Sequence, residues 1–152
     1  MIPIYEKKTR IKVLVAVVAL LIGAATVVYT NALVQRVSER EQQQIQLYAK
    51  AQEYIVSSES DTNPFVLNEI INGNTTIPVI LSSDGKDIIA AKNIDMARHL
   101  PEADSVARLQ VELAKMKEKH PPIVVKFGAG QVNYIFYRDS QLLQQLRTYP
   151  LV

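Results

Sequence analysis

The sequence predicts an α+β protein: one transmembrane helix, then a long stalk helix leading into a small domain with a mainly antiparallel sheet. Three observations carry that expectation. A stretch without charged residues runs from Val13 to Val34. Helical patterning then continues to about Ser57 with no Gly or Pro. Beyond it, two pairs of β-prone runs each flank a tight turn, with helical segments between and after them.

The apolar stretch comes first. Its core, Val13 to Val28, is nearly all Val, Ala, Leu and Ile. A bilayer core needs about 20 such residues in a helix. Lys7, Lys8, Arg10 and Lys12 precede it. Basic residues stay on the cytoplasmic side, so these four residues set the topology: N-terminus inside, remainder across the membrane. A cleaved signal peptide has an apolar run of only about 7–15 residues and a small-residue cleavage site after it. This run is longer, and Ala24-Ala25-Thr26 lies inside it. The reading is therefore an uncleaved anchor.

From Asn31 to about Ser57, Gln and Glu dominate, as in Glu39-Arg40-Glu41-Gln42-Gln43-Gln44. Val34, Val37, Tyr48, Ala51 and Ile55 fall on a heptad seam, with Glu41 and Gln44 in its middle. Two readings stay open here. One is a dimerising stalk. The other is an amphipathic helix that covers a sheet.

Ser57-Ser58-Glu59-Ser60-Asp61-Thr62-Asn63-Pro64 breaks the helix. Phe65 to Ile71 reads as a short helix ended by Asn72-Gly73-Asn74, with Pro64 suiting its first turn. Ile77-Pro78-Val79-Ile80-Leu81 and Asp87-Ile88-Ile89-Ala90-Ala91 flank an Asp-Gly and predict a hairpin. Pro78 places the first strand at an edge or sits at its own start. A further strand around Lys92–Ile94 would be a fifth.

From Pro101 the helical pattern returns, with Val106, Leu109, Val111, Leu113 and Met116 as its apolar set. Glu102 and Asp104 lead, lysines trail, and Pro121-Pro122 stops it. Ile123–Phe127 and Val132–Tyr137 flank Gly128-Ala129-Gly130 as a second hairpin. Ser140 to Leu146 closes the pattern as a last helix.

The expected organisation is a cytoplasmic basic tail over 1–12, a transmembrane helix over 13–34, and a stalk or packing helix over 35–57. A domain outside the cytoplasm follows over 58–147. Residues 148–152 would begin a second membrane segment. The order suits a PAS-like or Cache-like sensor domain, in which helices cover one sheet face and enclose a pocket. Fold alone does not confer function.

Composition narrows the chemistry. The chain has 152 residues, a formal net charge of +2, two histidines and no cysteine. Disulfide and thiolate chemistry are excluded. No basic stripe marks the body, which argues against nucleic acid. The histidines are not clustered with other metal ligands, so there is no metal signature. Asp139-Ser140 reads as a helix cap rather than a nucleophile. His99 and His120 stand at helix boundaries, as surface or capping residues or as pH-sensing or ligand groups. Gly128-Ala129-Gly130 precedes a strand, so it is a turn and cradles no phosphate. The aromatic strand is the most suggestive feature. Alternation puts Val132, Tyr134 and Phe136 on one face and Asn133, Ile135 and Tyr137 on the other. Asn133, Tyr134, Phe136 and Tyr137 are the candidate ligand-binding residues, with plain core as the alternative.

Several stretches together resemble one family. Met1-Ile2-Pro3-Ile4-Tyr5-Glu6-Lys7-Lys8-Thr9-Arg10-Ile11-Lys12 before the anchor is similar to the start of membrane sensor histidine kinases of Bacteroidetes-type bacteria. Leu47-Tyr48-Ala49-Lys50-Ala51, Ile77-Pro78-Val79-Ile80-Leu81 and the stretch from Tyr137 to Pro150 also resemble that family. None of these is a catalytic motif, and the similarity spans nearly the whole chain. The resemblance implies the sensing half of a two-component kinase in a bacterial inner membrane, with a periplasmic domain and a homodimeric parent. It implies a small-molecule or protein signal, and a response regulator reached through the kinase region. ATP and magnesium are implied only for that region, and no cofactor is expected here. Neither the phosphoacceptor motif nor the ATP-lid glycines stand in these 152 residues. The expected chain is thus a sensor cut before a second membrane helix. The other reading is a single-pass scaffold or envelope-assembly subunit without catalysis.

Overall fold

The computed structural model describes residues 4–56, 69, 71–95, 102–127 and 130–148. The expected anchor and stalk segments form one unbroken helix, α1, over Ile4–Val56. Its 53 residues correspond to about 80 Å at 1.5 Å per residue. Nothing in its sequence interrupts the hydrogen-bond ladder: it has no proline, and its one glycine is Gly23. The apolar part reaches a mean hydropathy of 2.7 over 18 residues and is covered by nothing in the fold. It fits a transmembrane helix by length and composition. The hydroxyls of Thr26 and Thr30 donate back to Ile22 O and Thr26 O, at 2.8 and 2.9 Å. Both are thus satisfied within the helix, as a hydrocarbon environment demands.

The sheet comprises β1 (Val79–Ser82), β2 (Ile88–Lys92), β3 (Ile123–Phe127) and β4 (Gln131–Tyr137). Its order is β2-β1-β4-β3, antiparallel throughout. Both expected strand pairs form, while Gly128 and Ala129 of the second expected turn lie outside the described residues. Lys92 ends β2, and among the described residues there is no fifth strand. β1 lies inside the sheet, so Pro78 stands just before its strand and not on an edge. The β1–β2 turn is built around Asp84, whose Oδ1 accepts the N–H groups of Lys86 and Asp87 at 2.7 Å each. Gly85 has φ +81°, which side-chain-bearing residues rarely adopt. The register slips between Leu81 and Ser82, leaving Ile89 as the extra residue of a bulge.

Helices pack on both faces of the sheet, not on one face as the sequence suggests. Alternation along the strands explains the two layers. Val79 and Ile135 point into a core with Ile45, Tyr48 and Ala49 of α1, together with Ile77 and Val125. Their neighbours Ile80 and Phe136 point the other way, to Leu113 and Met116. Those two belong to α2 (Glu102–Lys119). Val106 and Val111, expected in the apolar set of α2, are exposed, because the buried stripe runs through Leu113 and Met116. α2 also grips the first hairpin: Gln110 Nε2 donates to Lys86 O at 2.9 Å, and Lys117 Nζ donates to Gly85 O.

Of the two readings of the stalk, the packing helix is the one the fold contains. Tyr48 and Ala51 are buried against the chain's own domain, as are Ile45 and Ala49. The side chain of Ile55 lies outside the described residues, as do most of 65–71, His99 and the side chain of Glu102. The last helix, α3, covers Gln141–Thr148 and packs beside α1.

Candidate functional site where the last helix meets the long helix

β4 ends at Tyr137, and α3 begins four residues later. The intervening Arg138, Asp139 and Ser140 each hold a different part of the fold. Ser140 caps α3 as its sequence position suggests. Its Oγ accepts the Leu143 N–H at 3.2 Å, and its carbonyl accepts the Gln144 N–H at 3.0 Å. The remaining donors of Ser140 go to the long helix. Its backbone N–H donates to Glu41 Oε2 at 3.0 Å, and its hydroxyl donates to Glu41 Oε1. A charged residue in the buried stripe of α1 is thereby explained. It accepts two hydrogen bonds at the root of α3, where a negative charge also complements the helix dipole.

Asp139 is buried and bridges two elements. Its Oδ1 lies 2.9 Å from His120 Nε2, and its Oδ2 lies 3.2 Å from Arg147 in α3. Its carbonyl accepts the Gln144 side-chain amide at 3.1 Å. His120 directly follows α2: its N–H donates to Met116 O at 3.1 Å, and its ring stacks on Tyr137 at 4.7 Å between centroids, 11° from parallel. Burial raises the Tyr137 phenol above its usual range, and the nearby Asp139 charge adds to that.

Arg138 ties the junction to β1 and α2. Its N–H donates to Pro78 O at 3.3 Å. Its Nε stands 3.5 Å from Glu112 Oε2, and both atoms are buried without a hydrogen bond. Their contact is therefore charge proximity rather than an aligned bond.

The four aromatic-strand candidates do not converge. Tyr134 packs at the edge of the α2-side core, and Phe136 is buried in it, under Lys117 at 5.5 Å from its ring centre. Tyr137 packs at the edge of the α1-side core, and Asn133 shares its face. Lys7, Lys8, Arg10 and Lys12 are exposed at the start of α1.

The junction holds no hydrolytic arrangement. Ser140 Oγ is buried and committed to Glu41 and to its own helix. Among the described residues no group of three or more His, Cys, Asp or Glu could hold a metal. What the arrangement can do is mechanical: the position of α3 is set jointly by α1, α2 and β4. Sequence reading missed the roles of Glu41 and Arg147. Glu41 did leave a signal, as an acidic residue on an otherwise apolar seam. No family model matches the chain, and neither a curated protein nor a solved structure is significantly similar to it.

Proposed function

We propose that this chain is the membrane-anchored sensing module of a two-component histidine kinase. Its basic tail lies in the cytoplasm, and its PAS-like or Cache-like domain lies outside. The observation that carries this reading is the hold of Glu41 on Ser140. A helix that fits a membrane crossing grips the residue that caps the last helix directly. Val34, Val37 and Ser38 are half-buried and continue the stripe of Glu41 toward the apolar segment. We infer that α3 runs back along them toward the membrane. Two adjacent helices, one leaving the bilayer and one returning to it, form a transmission element. A signal that favours one arrangement of the domain shifts one helix against the other.

In this reading the parent protein is a homodimer, and a response regulator receives its output. The alternative is a single-pass scaffold with the same anchor and domain. It gives no role to a network that pins a helix from three sides.

The test is the reading frame after codon 152 in the source genome, joined to topology mapping with reporter fusions. About 20 apolar residues, then a helix bearing a histidine beside an acidic residue, would support the sensor. A stop codon there, or a domain mapped to the cytoplasm, sinks it in favour of the scaffold.

A further inference from the structure

An open cleft of about 660 Å3 lies beside the junction. One wall is the segment leading into β1, with Thr75, Thr76 and Pro78. Another is the stretch after β2, with Asn93, Ile94 and Asp95. The third is the first turn of α3. Volumes of this order suit small ligands.

The polar groups of the cleft are unevenly committed. Asn93 donates its side-chain amide to Asn74 O and Ile77 O, at 3.0 Å each. Only an N–H can donate to a carbonyl, so the group left for the cleft is Asn93 Oδ1. The Gln144 amide likewise donates to Asp139 O, leaving its Oε1. Asp95 adds an exposed carboxylate, and Thr75 and Thr76 add exposed hydroxyls. Arg138 also lines the cleft, but its charge is met by Glu112. The cleft thus mixes these acceptors with hydroxyl and amide donors, and the charge it exposes is the solvent-screened Asp95 carboxylate.

We propose that this cleft binds a small, uncharged, hydroxyl-rich molecule of mono- or disaccharide size. Its hydroxyls donate to Asn93 Oδ1, Gln144 Oε1 and Asp95, and accept from the threonine hydroxyls and the Gln141 amide. Leu142, well exposed, and Ile94 supply apolar surface for the C–H faces of such a molecule. An anion meets acceptors and the Asp95 charge. A cationic amine meets a single exposed carboxylate, whose attraction solvent screens. A ligand here touches both the sheet loops and α3, so it favours whichever setting of α3 closes on it. That regulatory consequence rests on the sensor reading above; the binding itself does not.

The experiment uses the full chain in phosphatidylcholine nanodiscs, free of glycolipid and sugar detergent. Saturation-transfer NMR is recorded with methyl glucoside, N-acetylglucosamine and trehalose, and with spermidine and succinate as cationic and anionic probes. Hydroxylated probes should receive saturation and bind about tenfold more weakly to Thr76→Val and Gln141→Leu. Both side chains are exposed, so the unfolding midpoint should stay put. No transfer to any of the three sugars overturns the proposal, as does equal binding by both variants. Preferred binding of spermidine or succinate overturns the ligand class. Amide exchange in α3 is followed in the same samples. Binding that leaves this exchange unchanged keeps the site and rejects the sensor reading. Absent binding, with α3 still dependent on Glu41, rejects the site alone.

Discussion

Glu41 and Ser140 are 99 positions apart in the chain, and both oxygens of the Glu41 carboxylate are taken up by Ser140. One accepts the backbone N–H and the other the hydroxyl, at the residue that caps α3. The long helix and the last helix are therefore joined at a defined point, not only by apolar contact.

Glu41→Ala leaves the Ser140 N–H without its partner in a part-buried setting. The expected cost is about 1–3 kcal/mol, and Glu41→Gln should cost less because one acceptor remains. Amide exchange at Ser140 and Leu143 is the direct readout. Unchanged exchange in Glu41→Ala would refute a mechanical joint at this position.

The face that α1 turns to the sheet can be tested by truncation. Ile45 is fully buried, whereas Leu47 is half-exposed. Ile45→Ala should cost about 2–5 kcal/mol and Leu47→Ala under about 0.5 kcal/mol in denaturant unfolding. Equal losses would mean that α1 packs through another face.

The two partners of Asp139 should differ in weight. His120 is mostly covered, with 18% of its side chain exposed, while Arg147 is 50% exposed and well screened. Double-mutant cycles should give a coupling of about 1–2 kcal/mol for His120 with Asp139. The Arg147 coupling should fall below about 1 kcal/mol. The reverse ranking would move the anchor of Asp139 from α2 to α3.

Alkaline pH should destabilise the domain through Tyr137. Its folded-state pKa is raised, first by burial and then by Asp139. Below the unfolded value near 10, the phenol is protonated in both states and nothing changes. As pH climbs from there through the folded value, the unfolded chain ionises first and stability falls. Unfolding midpoints between pH 8 and 11.5 should drop less steeply in Tyr137→Phe. Identical slopes would place the alkaline sensitivity elsewhere.

Acid should loosen the first hairpin. The Asp84 carboxylate is held below its usual range by the N–H groups of Asp87 and then Lys86. Its contribution is present above the unfolded value of 3.8 and is lost as pH falls through the lower folded value. Lys86 and Asp87 amide resonances should shift in that range in the native chain and not in Asp84→Ala. Matching shifts in both would remove Asp84 as the cause.

How much of this was legible beforehand depended on whether a signal was local. The long apolar helix, both strand pairs and the two later helices stand in the sequence because apolar length, Asp-Gly and Pro-Pro punctuation and periodicity act over a few residues. The assignment of Ser140 as a cap is local in the same sense. Val106 and Val111 of α2 were apolar yet exposed, because which stripe is buried depends on the approach of the sheet. The seam of α1 carried two meanings, a partner helix or a sheet, and periodicity does not distinguish them.

By itself the sequence determined that this chain forms one long apolar-to-polar helix and two hairpins, with no thiol chemistry. Only the tertiary structure decided the strand order, the helix on each face, and the meeting of Glu41 with Ser140 and of His120 with Asp139. Those pairings join residues 99 and 19 positions apart. Hydrogen bonds and ion pairs act over a few ångströms of space, and spacing along a chain carries no record of which distant residues folding will bring that close.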